Sequence, residues 1–195
     1  RSNAEGLRGD LEEALRGADV CIAASKPGPG TIQPEWVEAM ADQAIVFACA
    51  NPIPEIWPWE AKAAGARVVG TGRSDFPNQI NNSLGFPAIF RGVLDVRATT
   101  ITDEMAIAAA KALASFQQER QFDEEQLLPT MDDWEVFPRE AAAVGMRAQE
   151  QGVARRGLSY SELLNKATQT IQQAQDMTRV LMKKGVIPPV PEEWS

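Results

Sequence analysis

The chain has 195 residues, 44% of them apolar, which is enough to bury one sizeable core, since ordinary domains run to roughly 100–200 residues. Lys and Arg total 19 against 27 for Asp and Glu, and the net charge of -8 opposes broad attraction to nucleic acid or anionic membranes. Histidine is absent, which excludes a Ser-His-Asp triad, a Cys-His pair and any imidazole metal site built by this chain alone.

No apolar run reaches the roughly 20 residues of a membrane helix, and no charged-then-apolar leader opens the chain, so a soluble protein is expected. The opening Arg1-Ser2-Asn3-Ala4, without Met, reads as a cloning scar or as a natural sequence entered midway. Residues 5–17 carry Leu7, Leu11 and Leu15 at the spacing of an amphipathic helix face. Val20-Cys21-Ile22-Ala23-Ala24 is a short unbroken apolar run, which fits a strand covered on both faces in a parallel sheet. Two similar runs follow, Ala44-Ile45-Val46-Phe47-Ala48-Cys49-Ala50 and Arg67-Val68-Val69-Gly70, separated by helical segments that open on Pro34 and Pro58. The β-α-β-α-β pattern predicts an α/β fold with a partial, doubly wound, parallel Rossmann-like sheet, because right-handed crossovers place helices over both faces. Cys21 and Cys49 lie inside apolar runs as small buried hydrophobes, with no disulfide framework or metal spacing around them.

After Asp75 the pattern changes. Residues 81–95 read as helical, and Thr102 caps a helix with apolar Ile101, Met105, Ala108, Ala112 and Phe116. The stretch 121–138 is acidic and irregular, and Pro138 then opens an Ala-rich helix to about Gly152. Ser159-Tyr160-Ser161-Glu162 has the form of a capping box, and Leu164, Ala167, Ile171, Ala174, Thr178 and Leu181 follow at three- and four-residue steps. Docking of this long helix on its own protomer and contact with a second subunit both fit the pattern. Pro188, Pro189 and Pro191 predict an extended tail. The expected organisation is a sheet-containing part, residues 1–122, followed by C-terminal helices in residues 123–195 packed on it.

Ligands of open parallel sheets bind outside the carboxyl ends of the strands, so the residues just after each apolar run are the ones that can carry function. They are Ser25-Lys26-Pro27-Gly28-Pro29-Gly30, Asn51-Pro52-Ile53-Pro54-Glu55 and the segment 71–82. Gly28-Pro29-Gly30 and Gly70-Thr71-Gly72 each lack the third glycine of a pyrophosphate fingerprint and serve equally as loop turns. Asn51, Asn81 and Asn82 weigh more, because an amide donates and accepts without titrating and can fix a carboxylate, hydroxyl or nicotinamide amide. Asn81 and Asn82 stand at an expected helix start, where free backbone N–H groups favour anions. Helix capping by Asn81 or Asn78, and a turn at Asn51 before proline, remain equally open on spacing alone. Arg73, Asp75 and Arg91 read as loop-ordering ion pairs, and Tyr160 as part of the capping segment. The acidic Asp123-Glu124-Glu125 and Asp132-Asp133 read as a solvated loop.

The segments Ala50-Asn51-Pro52-Ile53-Pro54-Glu55 and Thr71-Gly72-Arg73-Ser74-Asp75-Phe76-Pro77-Asn78-Gln79-Ile80-Asn81-Asn82 resemble paired signatures of the malic enzyme family. The likeness continues through Phe86-Pro87-Ala88-Ile89-Phe90-Arg91-Gly92 and Leu94-Asp95-Val96-Arg97-Ala98. It implies that residues 1–122 are the C-terminal half of an NAD(P)-binding domain. It also implies a cytoplasmic oxidoreductase, only part of which is present here, that oxidatively decarboxylates malate to pyruvate and carbon dioxide with NAD or NADP and Mg2+ or Mn2+. By the same resemblance Asn51, Asn81 and Asn82 bind substrate, and Ser25, Gly28, Asn51 and Asn81 line the cofactor cleft. The catalytic tyrosine and lysine and the acidic metal ligands of the family would lie before Arg1, so no catalytic or metal-binding residue is assigned here. The partners implied are malate or pyruvate, the missing N-terminal half of the enzyme and further copies in a homo-oligomer, with neither nucleic acid nor membrane. A malolactic-type decarboxylase and a stand-alone nucleotide-binding or interaction module are the alternatives.

Overall fold

The computed structural model describes residue 3, residues 6–120 and residues 123–188. The expectations at residues 5, 121, 189 and 191 therefore lie outside the described residues. Two compact units emerge, one of Arg1–Ser83 with Phe116–Thr130 and one of Leu84–Ser115 with Met131–Ser195, so they are not consecutive halves of the chain.

In the first unit, helix α1 (Leu11–Leu15) precedes strand β1 (Val20–Ala23), helix α2 (Pro34–Glu38), strand β2 (Ile45–Ala48), helix α3 (Pro58–Ala63) and strand β3 (Val68–Thr71). The three strands form a parallel sheet in the order β1-β2-β3. Proline stands at the start of α2 and α3, where its fixed φ suits the first turn and its missing N–H leaves no bond unmade. Val46, Ala48, Ile32, Ile56 and Ala61 are fully buried between sheet and helices and form the core of this unit.

Two expectations change here. Helix α1 is shorter than residues 5–17: Asp10 accepts a hydrogen bond from the Glu13 N–H and starts the helix late, so Leu7 is exposed and only Leu15 is buried. Strand β1 is not covered on both faces. It leaves Ile22 73% exposed, whereas every residue of β3, at the opposite edge of the same sheet, is buried.

The second unit is helical. It holds α4 (Phe86–Val96), most of α5 (Asp103–Gln118), α6 (Val136–Glu150) and α7 (Tyr160–Lys183). Helices α4 and α6 cross closely at Gly92, where a Cβ atom would stand 2.5 Å from the Ala141 carbonyl oxygen. Val96, Met105, Ala142, Val144, Ala148 and Leu163 fill the core around that crossing. Thr102 caps α5 as expected, its Oγ1 accepting the Met105 N–H at 3.3 Å. Pro138 lies within the first turn of α6, which begins two residues earlier than the sequence pattern placed it.

Helix α7 starts on the expected capping box: Ser159 Oγ accepts the Glu162 N–H at 3.3 Å, and the Ser159 N–H donates to Glu162 Oε2 at 2.7 Å. Leu163 and Ala167 are buried, but Met177, Val180 and Leu181 further along are exposed. Length explains the change, since the 24 residues of α7 outrun the 11 of α4 and the 15 of α6 that it packs against. Glu140 of α6 is buried with neither carboxylate oxygen hydrogen-bonded among the described residues, and burial pushes its pKa up to about 8. No helix among the described residues is long and apolar enough to cross a membrane.

Candidate functional site

The parallel register pairs Ala23 with Ala48 and Ala48 with Thr71, so all three strands end at one level and their following loops share the carboxyl edge of the sheet. Everything at this edge that the sequence singled out belongs to the first unit.

The loops after β1 and β2 are joined through Glu55. Its carboxylate is fully buried; Oε1 accepts the Ser25 N–H at 2.7 Å and the Ser25 Oγ hydroxyl at 3.1 Å, while Oε2 accepts the Ala50 N–H at 3.0 Å. Backbone bonds reinforce the seam, from Gly28 N to Ile53 O at 3.3 Å and from Ile32 N to Glu55 O at 3.2 Å. Burial first, and the Glu55 charge second, push the thiol pKa values of Cys21 and Cys49 up, which leaves both as thiols. Gly28 has φ 126 and open space in the Cβ direction, so its backbone is accessible from that side.

The loop after β3 folds back on its own strand. Thr71 N donates to Asn78 O at 3.2 Å and Ile80 N to Thr71 O at 2.6 Å. Asn78 is consumed by this turn: its Nδ2 donates to Val69 O at 3.0 Å and to Glu124 O at 2.6 Å, and its Oδ1 accepts the Leu127 N–H at 2.8 Å. Asn81 is half consumed, with Nδ2 donating to Gly72 O at 3.0 Å and Oδ1 accepting the Ser83 N–H at 3.0 Å. The amides of Asn51 and Asn82 make no hydrogen bond among the described residues, and both residues are exposed.

Gly72 lies between the substrate candidates. A Cβ there would stand 3.0 Å from Asn51 Nδ2 and 3.0 Å from the Cys49 carbonyl oxygen, so the absence of a side chain lets Asn51 lie over this backbone while Asn81 holds its carbonyl. The expected helix start at Asn81 and Asn82 is corrected. Asn82 opens a 3-10 turn, Asn82–Leu84, and α4 begins only at Phe86, next to a proline that suits its first turn. The backbone N–H groups of α4 therefore do not begin at the two asparagines.

The charged residues have structural work, Arg73 and Asp75 at this edge and Lys62 and Arg67 before the amino end of β3. Arg73 grips Asp75 through two bonds of 2.7 and 2.6 Å and donates to the Pro52 carbonyl at 2.8 Å. The Arg73 bond holds the Asp75 carboxyl below the usual carboxylate range. The Arg73 guanidinium also lies 5.6 Å from the Phe76 ring centre, and Phe76 meets Trp57 and Trp59, which stack on each other at 4.9 Å. Glu125 pairs with Lys62 at 2.7 Å, and Glu124 with Arg67. In the second unit, Arg91 pairs with Asp95, and Tyr160 opens α7. Among the described residues no three His, Cys, Asp or Glu side chains converge as a metal site.

The sequence reading missed Glu55 as a functional candidate. The available signal was a carboxylate set between Pro54 and Ile56, two residues that pack inward; its partner Ser25 lies 30 positions away.

The family model for the NAD-binding domain of malic enzyme matches residues 9–149. The chain belongs to the malic enzyme family. It is 48% identical over 165 residues to the bifunctional malic/malolactic enzyme of Bacillus subtilis (strain 168), covering 85% of this chain and 40% of that protein. It is likewise 48% identical over 155 residues to the NAD-dependent malic enzyme of Geobacillus stearothermophilus, covering 80% of this chain and 32% of the relative. The crystal structure of Entamoeba histolytica malic enzyme superposes with a TM-score of 0.95 at 47% identity, covering 97% of this chain and 39% of that one. The chain thus spans less than half the length of these malic enzymes. Its parallel sheet with flanking helices is the Rossmann-like NAD-binding fold of the family.

Proposed function

We propose that this chain is the part of an NAD(P)-dependent malic enzyme that orients malate against the nicotinamide end of the cofactor. The observation that carries the reading is that Asn51 and Asn82 keep free amides at a carboxyl edge where Glu55 and Asn78 are committed to holding the loops. A free amide can donate to a substrate carboxylate and accept from its hydroxyl without changing charge. Asn81 retains one N–H and one lone pair after its two loop bonds, which suits a contact with malate or with the nicotinamide ribose.

The edge fits a dinucleotide: the backbone at Gly28 is open to approach, and Ser25, Asn51 and Asn81 offer polar groups along the ends of three strands. Ser25, Gly28, Asn51 and Asn81 would hold the dinucleotide, which would supply a hydride acceptor for C2 of malate. The chain's own residues bind and orient, and Asn51 and Asn82 hold the substrate in one pose, with the proton transfers assigned to the rest of the enzyme. The Mg2+ or Mn2+ expected for the family has no fitting acidic cluster among the described residues, so its ligands are assigned to the rest of the enzyme. That remainder, malate and pyruvate are the partners proposed, and a homo-oligomer is supported by the apolar Met177, Val180 and Leu181 left uncovered on α7.

The test is malate-dependent reduction of NAD and of NADP by the full-length enzyme, with and without Mg2+ or Mn2+. Asn82→Ala is expected to lower kcat/KM by about 10²-fold, the scale of losing substrate alignment, while stability changes by less than about 0.5 kcal/mol because the side chain has no partner to lose. Unchanged kinetics would reject the site. A second reading, malolactic-type decarboxylation, is favoured by the likeness to the Bacillus protein named for both activities. Lactate formed without NAD(P)H would identify it.

A further inference from the structure

We propose that Glu55 is a positioning residue, which fixes the distance between the cofactor-side loop at Ser25 and Gly28 and the substrate-side Asn51; this rests on the malic enzyme reading above. One carboxylate spans both loops. Oε1 takes two donors from Ser25, and Oε2 takes the N–H of Ala50, the residue before Asn51. All three donors point at a fully buried carboxylate, so separating the loops would strip donors from a buried charge and from the buried Ala50 N–H.

Only a carboxylate of this length meets the geometry. A carboxylate accepts on both oxygens and donates from neither, whereas glutamine would turn an N–H₂ toward either Ser25 or Ala50, donor against donor. Aspartate keeps the charge and both acceptors but is one methylene shorter, so it cannot reach both loops at their present spacing. The charge itself is compensated by N–H and O–H donors rather than by a cation, which ties its role to where those donors sit. The backbone bonds from Gly28 to Ile53 and from Ile32 to Glu55 do not involve the side chain, so they keep the loops adjacent in either variant while the Ser25-to-Ala50 spacing set by the carboxylate is released.

The experiment compares full-length wild type, Glu55→Gln and Glu55→Asp by kcat, by KM for malate and for the dinucleotide, and by Tm. The expected result is a kcat loss of about 10²-fold per folded molecule in Glu55→Gln, the scale of a 1 Å misplacement, with a smaller change in both KM values. Aspartate is expected not to restore kcat. Should the glutamine variant fold poorly, the aspartate variant decides alone: full kcat there overturns the role, because charge without reach would then suffice. Wild-type kcat per folded molecule in Glu55→Gln overturns it equally. An inactive wild-type enzyme removes the malic enzyme reading and this role with it, whereas an active wild type with undiminished variants removes this role only.

Discussion

Burial of Glu140 without a hydrogen-bonding partner among the described residues ties its protonation to the stability of the fold. Its pKa rises from an ordinary 4.5 to about 8 through burial, so the folded state keeps the proton over a range in which the unfolded chain has lost it. Stability from this group is complete below the unfolded value, falls by at most about 1.4 kcal/mol per pH unit as pH rises towards the folded value, and levels off above it. Glu140→Gln is expected to remove that slope. Thermal unfolding at about pH 5 and about pH 8 should give a variant whose Tm advantage grows with pH, and a constant difference would contradict the assignment. At this same scale the sequence was only partly legible. That asparagines matter was readable from their type, but which ones stay free depends on the 72–80 loop folding back, which consumes Asn78 and half of Asn81. Glu55 was not legible as a bridge, because nothing local marks a partner that arrives from another strand's loop.

At the scale of elements, the capping box of α7 offers the simplest measurement. Ser159 and Glu162 satisfy each other's backbone N–H groups, and the Ser159 bonds hold the Glu162 carboxyl below its ordinary pKa. Ser159→Ala is expected to lose about 1 kcal/mol in a urea titration, with the midpoint shifted and the slope unchanged. An unaltered midpoint would mean that helical packing of Leu163 and Ala167 fixes the helix start without the cap. The capping box was visible in four consecutive residues, and each strand in an unbroken apolar run, because both signals are local. The exposed face of β1 was not visible, since Val20 and Ile22 look as apolar as the residues of β3; coverage is decided by neighbours, not by the strand's own composition. The late start of α4 had a readable cue in Pro87, but two adjacent asparagines made a competing cap signal.

At the scale of the whole molecule, β1 is an edge strand with Val20 and Ile22 exposed, and an apolar edge is a template for pairing with further chains. The 195-residue chain by itself is expected to self-associate in light scattering, and Ile22→Lys to suppress this, since an outward lysine blocks edge pairing. A variant that scatters as strongly as the parent would place the association elsewhere, with the exposed end of α7 as the next surface to change. The Trp57–Trp59 stack, the Phe76 edge and the Arg73 bond to Pro52 form one aromatic clamp next to Asn51. Indole rings held in a fixed, asymmetric packing absorb circularly polarised near-ultraviolet light unequally, so the clamp contributes an unlabelled dichroism signal that Trp57→Phe would isolate from those of the other tryptophans. Any rearrangement of the loops at the strand ends would be written into that signal before a single turnover is counted.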